Sequence, residues 1–506
     1  MHVVVDNLTA VQAPIATHAG IEPPVGTPDA TPNTTPVPVN SATAPLEPNP
    51  KTSKDAIRRS LRASTLDGVF ATLFANATGG ALLSGFFLAL GANPTQIGLL
   101  ASIPQLANLL QPIGAYFSEQ TTSRHWYCLW VYGLSRALWV LLAAGIGYLS
   151  WLGWQPSHGA ALIRLTLIIL LLSHLLGALG SASWLSWMAV LVPRRLRGRY
   201  FGVRNSAANL SSLASVPLMG LLVSHWSGGV VQGYGVVLGF GILAGCTSLL
   251  FQSLMVDVNP QVQHAIAPPV SPPVSPPTEA AEAAVRPTLC LPSVWQDTNF
   301  LVFLLYLTLW TFAVNLSAPF FNLYLLDTLK LDLSLVTLYN SLSAAANLLL
   351  LLFWGKLADR IGNRPLLLSV GVLVGITPLL WLTTGVNSWS IWFGLPLLHL
   401  LSGGTWAAID LCSNNLQIGV APIQRQSTYF GIVAALAGIS GALGTTAGGL
   451  LAQYPIAGGL LGLFVISSGL RLAALLPLVF VHEQRSQSLR QLMRMLFPQP
   501  DLTPEA

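Results

Sequence analysis

Asp410 lies within an otherwise apolar stretch, where a carboxylate can take up a proton or bind a cationic group. His399, Gly403, Trp406, Asp410, Asn414 and Gln417 follow one another at steps of three or four. That spacing puts them on one face of a helix. Three other apolar stretches carry comparable stripes of polar or small residues: Thr72, Asn76, Gly80 and Ser84; His174, Gly177, Ser181 and Trp184; and Thr308, Thr311, Asn315 and Asn322. A polar group without a partner in hydrocarbon is costly, so such stripes must face protein or water. The polar and aromatic candidates that these four stretches present are Asn76, His174, Trp184, Asn315, His399, Trp406, Asp410 and Asn414.

Each candidate also has a structural reading. Asp410 could be one half of an ion pair with Arg136, Arg164 or Arg471. His174 and His399, both in His-Leu-Leu runs, could titrate near neutral pH or be hydrogen-bonded between packed helices. Trp184 and Trp406 could stack on a sugar ring or an apolar substrate face, or simply pack.

The elements that must carry these stripes follow from composition. The chain has 506 residues, 53% of them hydrophobic and 8% charged, with a mean hydropathy of +0.62. An ordinary soluble domain is about one quarter charged. Soluble enzymes, nucleic-acid binders and secreted disulfide scaffolds are excluded, and lipid is the solvent for most of the chain. The four cysteines are far apart and lack metal-ligand spacing, so neither a metal nor another cofactor is expected. Twelve apolar segments of about twenty residues, the first at 67–90 and the last at 458–481, are long enough to cross a bilayer as helices.

The chain divides accordingly. Residues 1–62 read as a disordered Pro/Thr-rich tail ending in a basic segment, and 63–256 as a first six-helix bundle. Residues 257–293, with their APPVSPPVSPP run, form a Pro-rich linker that cannot insert as helix. Residues 294–482 form a second bundle and 483–506 a tail. Of 23 Lys and Arg residues, 19 fall on the side of the N-terminus and the even-numbered loops. Lys330 alone lies opposite, and Arg136, Arg164 and Arg471 fall within spans or at their ends. That asymmetry places both termini in the cytoplasm.

The two halves repeat. Asn76 and Asn315 are 239 residues apart, as are Ser102 and Ser341, and both pairs sit in similar local sequence. Pro193 with Tyr200-Phe201-Gly202 matches Pro422 with Tyr429-Phe430-Gly431 at an offset of 229. Parallel six-helix repeats are the plan of a two-bundle transporter with its site at the midplane between bundles.

After the eighth span comes Gly355-Lys356-Leu357-Ala358-Asp359-Arg360-Ile361-Gly362-Asn363-Arg364. Gly355 and Gly362 suit a tight turn where helices approach. Arg360 and Arg364 anchor a basic edge. This run resembles the signature loop of the major facilitator superfamily, G-x-L-A-D-R-x-G-x-R. The first-half counterpart, Gly114 to Arg124, is degenerate, with Glu119 one place beyond the expected aspartate. The loop Pro193 to Gly202, with Arg197 and Arg199, is similar to the basic R-G-R-x-x-G loop of the same superfamily.

The resemblance implies an all-α membrane protein of two six-helix bundles, with the first, fourth, seventh and tenth spans lining a central cavity. It also implies a latch in which Asp359 docks near Arg199 and Tyr200. The expected function is secondary active transport of a small solute by alternating access, in a bacterial inner membrane, by a monomer. Protons are the leading coupling ion, because Asp410 and the histidines are the titratable groups on the stripes. Membrane lipid and the solute are the expected partners, and nucleic acid is not. The stripes carry little charge, which favours a neutral polar or amphiphilic solute. A drug–proton antiporter is disfavoured by the lack of a mid-helix arginine in the fourth span. A receptor or scaffold would not need polar stripes on four spans, and no cluster suggests an enzyme.

Overall fold

The structure is a computed structural model. It describes residues 54–257 and 296–483, apart from 122, 154, 156–157, 193–196, 422–425 and 455–457. Most of the expected tails and linker, with Arg194, Arg195 and Arg425, therefore lie outside the described residues. Among the described residues there are helices and short connections and no β-strand.

The first bundle consists of α1 (Lys54–Ala77), α2 (Gly80–Ala89), α3 (Pro94–Ala107), α4 (Gln111–Gln120), α5 (Arg124–Leu152), α6 (Gly159–Leu191), α7 (Arg197–Ser224) and α8 (Gly229–Ser253). The second consists of α9 (Thr298–Ser317), α10 (Phe320–Leu323), α11 (Leu333–Ile361), α12 (Asn363–Leu380), α13 (Leu395–Val420), α14 (Gln426–Gln453) and α15 (Gly459–Leu478).

Among the described residues, 11 helical stretches are long and apolar enough to cross a membrane. The second of the twelve apolar segments, which covers residues 94–117, is not among them, because a 3₁₀ turn at Asn108–Leu110 divides it into α3 and α4. Pro112 lacks the N–H that would bond the Asn108 carbonyl four residues back, and a tighter turn takes up the break. The N-terminal boundary also moves. The basic segment is not the end of a tail, because from Lys54 onward it forms the first turns of α1.

Local chemistry fixes where helices start. Asn93 accepts a hydrogen bond from the Gln96 N–H, the Gln96 side chain accepts one from the Asn93 N–H, and Pro94 opens α3. Asp332, 239 residues on, caps α11 by accepting from the Ser334 N–H at 2.7 Å. Gly362 has φ +93° and both ends α11 and starts α12, a conformation that favours glycine.

The apolar core shows how the bundles meet. We call the end carrying the basic loops the basic end, and the other the far end. At the far end one continuous core joins Phe86, Phe87 and Ile97 of the first bundle to Phe320, Leu333 and Val336 of the second. Toward the basic end the core splits. Phe303, Ala358, Leu416 and Leu478 pack within the second bundle, whereas Ala63, Trp187, Leu191 and Met255 pack within the first. Glycines let the far-end backbones approach: Gly98 of α3 lies against Gly449 and the Thr445 carbonyl of α14, and Gly220 of α7 lies against Thr337 of α11. The outer faces remain apolar and uncovered, as at Leu352, which is 77% exposed.

Candidate functional site

The repeat-related asparagines find different partners. The Asn76 amide donates to the hydroxyls of Ser212 (3.1 Å) and Ser215 (3.0 Å) on α7, inside the first bundle. Asn315 instead accepts from the Gln105 amide of α3 at 2.8 Å, across the boundary between bundles, and donates to the Thr311 carbonyl at 2.8 Å. The reason lies on the facing helix. The offset of 229 residues carries Ser212 and Ser215 onto Gly441 and Gly444 of α14. A Cβ on Gly441 would collide with the Gln105 side chain, so it is this glycine that lets Gln105 reach Asn315. The hydrogen bond from Gln105, with those of Thr95 to the Gln453 side chain and of the Ser334 N–H to the Ser224 hydroxyl, ties the bundles together from the middle to the far end.

The stripe on α13 divides between two surroundings. His399 is buried among the rings of Tyr339 and Trp381, and its Nδ1 lies 2.8 Å from the Leu395 carbonyl. This is the packed-helix reading, inside the second bundle. Gly403 lies against the Ser343 backbone of α11 and serves close packing. Trp406 lines a small, partly open cavity inside the second bundle together with Phe321, Trp381, Ser402 and Arg471. Asp410 and Asn414 are half-buried. Among the described residues, Asp410 has no hydrogen bond or ion pair, and the pairing considered for it does not form. Arg136 and Arg471 bond elsewhere, and Arg164 is exposed near the start of α6.

His174 is half-buried on α6, and Trp184 lies under the Arg204 guanidinium, 4.5 Å from its ring centre. That second contact leads to a group of residues missing from the sequence-based set. Asp67 of α1 is 5% exposed. It accepts from the Ser248 hydroxyl of α8, and its other oxygen lies 3.8 Å from Nη2 of Arg204 on α7. Arg204 Nε donates to the Ser64 carbonyl at 3.2 Å. Arg136 of α5 donates to the Ser248 hydroxyl (3.0 Å) and the Gly245 carbonyl (2.7 Å), and its guanidinium sits 5.7 Å from the centre of the Phe74 ring. One carboxylate and two guanidiniums thus join four helices of the first bundle. A signal was available: Asp67 opens the first apolar span, and a charge inside a span is rarely idle. Arg204, counted in sequence among the loop charges, lies within α7 instead.

The basic-end loop behaves differently from its expected form. Gly355 lies inside continuous α11 with ordinary room around it, so the turn is made by Gly362 alone. Asp359 and Arg360 are exposed, and Asp359 has no hydrogen bond or ion pair among the described residues. The side chains of Arg197 and Arg199 lie outside the described residues. Arg364 turns to its own bundle. Its N–H and that of Asn363 donate to the Glu483 carboxylate, and its guanidinium donates to the Leu478 and Val479 carbonyls at the end of α15. A cation at a helix C-terminus is favourably placed.

The family model of the Major Facilitator Superfamily matches residues 68–445 and 311–501. The chain belongs to the Major Facilitator Superfamily. Solved structures of similar fold include a D-xylose-proton symporter, 14% identical with a TM-score of 0.62, the match covering 86% of this chain and 99% of that one. The nucleoside transporter NupG is 13% identical with a TM-score of 0.59 over 84% and 98% of the two chains. A bacterial homologue of the iron transporter ferroportin, in an inward-facing state, is 14% identical with a TM-score of 0.60 over 84% and 98%. No curated protein matches the sequence. The chain is a multi-pass membrane protein of the two-bundle superfamily fold.

Proposed function

We propose that this superfamily member is a secondary active transporter, not an enzyme, and that it moves a small solute across a bacterial inner membrane by alternating access, with protons as the driving ion. In this reading the basic end and both termini face the cytoplasm, as the bias of the basic loops favours. A core shared at the far end and divided at the basic end then corresponds to a form closed outside and open inside. Rocking the bundles about their middle contacts would exchange the two openings. The working unit is a monomer, because two bundles suffice to enclose a path.

The observation that carries the proton role is Asp410. It is a half-buried carboxylate on the tenth span with no hydrogen bond or ion pair among the described residues. A group so placed is free to gain and lose a proton as its surroundings alternate between wet and dry. Asn76, Asn315 and Asn414 offer amides, not charges, which favours a neutral polar or amphiphilic solute. The D-xylose-proton symporter and the nucleoside transporter among the similar folds are in keeping with that class.

The test begins with a thermal-stability screen of purified protein against sugars, nucleosides, amino acids and amphiphilic cations, since a ligand of the folded state raises its apparent stability. Uptake of the best ligand into proteoliposomes is then compared for wild type and Asp410→Asn between about pH 5.5 and 8, the range that brackets histidine titration. The variant should lose proton-driven accumulation and keep solute exchange. Matching uptake across that range would remove Asp410 from coupling. Ligand binding with no flux in either protein would support a receptor instead.

A further inference from the structure

The second bundle holds a buried cation for which the transport reading has no use. Arg471 of α15 is 2% exposed. Its Nε donates to the Ser467 hydroxyl at 3.2 Å, and Nη1 donates to the Val374 carbonyl at 3.1 Å. Nη2 donates to the Val314 carbonyl at 3.4 Å and the Ser317 hydroxyl at 2.9 Å. All four acceptors are neutral. A guanidinium has five N–H donors, so one on Nη1 is left over. No carboxylate among the described residues lies within ion-pair distance. An isolated ion out of water is costly unless it is paired.

The same guanidinium forms one wall of the small cavity described above. Ser402, Trp381 and Trp406 also line it, and the Ser402 hydroxyl and both indole N–H groups donate to no protein acceptor among the described residues. The lining therefore combines a full positive charge, unused donors, apolar ring faces and no acid. The first bundle shows what is missing. There the buried arginines share Asp67, and the repeat offset of 239 residues carries Asp67 onto Tyr306. The second bundle has no built-in counter-charge at that position.

We infer that the cavity between α10, α12, α13 and α15 binds a small monovalent anion, seated on Arg471. The anion gives Arg471 the counter-charge that Arg204 finds directly in Asp67 in the first bundle. A halide and a short carboxylate share the required chemistry, and the probes below separate them. The inference does not depend on which solute is transported.

The test uses the purified full chain at constant ionic strength, with chloride replaced stepwise by bulky gluconate. Wild type should show a saturable rise in unfolding temperature with chloride, following the ligand-linkage form. Arg471→Met, neutral and of similar length, should lose that chloride response. A parallel titration with acetate distinguishes the sources. A saturable acetate response assigns the site to small carboxylates as well, and a response to chloride alone restricts it to halides. Should Arg471→Met fail to fold, Ser402→Ala with Trp406→Phe is read instead, with an expected shift of the chloride midpoint of about tenfold, the factor that about 1.4 kcal/mol of lost donor contact gives. Equal unfolding temperatures for wild type in chloride, acetate and gluconate would overturn the inference. So would a chloride response retained in Arg471→Met, or an unchanged midpoint in the double variant.

Discussion

In the first bundle Arg136 and Arg204 converge on Asp67 through a shared serine and a direct ion pair. In the second, Arg471 is held by two hydroxyls and two carbonyls and borders an open space. The asparagines reverse the pattern. Asn76 is satisfied inside its own bundle by Ser212 and Ser215, whereas Asn315 needs Gln105 from the other. Two halves with one plan have thus diverged in opposite senses. The first supplies its own partners, with one carboxylate serving two guanidiniums. The second leaves a charge to be balanced and an amide to be reached from outside, both made possible by what is absent from α9 and α14: an acid at 306 and hydroxyls at 441 and 444.

The sharpest way to break the contrast is to remove the acid from the first half. Asp67→Leu strands two guanidiniums in a buried setting, and losing one partner of a buried pair costs about 3–5 kcal/mol. The variant should unfold at markedly lower temperature in detergent, or fail to accumulate folded. Adding Arg204→Met should recover part of that loss, because the pair is then removed together. If the single and double variants were equally unstable, Asp67 would be a packing element and not the counter-charge of the first bundle.

Parts of this contrast were legible in the sequence and parts were not. Hydrophobic length marked the spans, because a bilayer sets a minimum helix length whatever the detailed packing. The offset of 239 residues paired Asn76 with Asn315, yet it said nothing of how each would be satisfied. That depends on α7 and α14, whose facing residues become neighbours only once the helices are packed. Asp410 drew attention because it stands alone in its span. Asp67 did not, because it sits at the edge of its apolar run, where a charge reads as a loop residue. Arg204 was counted with the basic loop for the same reason: it sits at the very start of its apolar run. His399 and Gly403 share a helical face with Asp410, but periodicity cannot tell a face turned to a cavity from one turned to α11.

A smaller effect should follow from making the second bundle resemble the first. Gly441→Ala places a methyl group where the Gln105 side chain lies and should expel it from Asn315. The Asn315 carbonyl then loses its donor, at about 1–3 kcal/mol for a buried acceptor left unmet. The loss falls on the closed far end specifically, so a cysteine introduced at Thr95 should react several-fold faster with a thiol reagent than in the parent. Ser212→Gly in the first bundle removes one of the two hydroxyl partners of the Asn76 amide without opening the boundary, and should leave that labelling rate unchanged. Equal effects of the two changes would mean that the bundles are joined by their apolar core alone.

The smallest effect concerns the two caps that begin equivalent helices at the far end. Asn93 and Asp332 occupy the same place in the repeat, one neutral and one acidic. Partial burial pushes the Asp332 carboxyl up, but hydrogen bonds from the Ser224 and Ser334 side chains and the Ser334 N–H outweigh it and hold the group below the ordinary aspartate value. A lowered folded-state value means that the charged cap stabilises above the unfolded value of 3.8, and that this contribution is lost as pH falls through the lower, folded one. Ser224 belongs to the first bundle, so protonation also weakens the hydrogen bond that its hydroxyl donates to Asp332. Asp332→Asn keeps a good cap, because asparagine and aspartate are nearly equal in that role. Wild type should therefore be slightly the more stable above pH 3.8, with the gap closing as the solution is acidified through and below that value. Asn93→Asp should create the same acid-sensitive gap on α3, where none exists now. Unfolding temperatures of the three proteins across that range measure it. Parallel curves for wild type and Asp332→Asn would show that the charge of this cap contributes nothing that the amide does not.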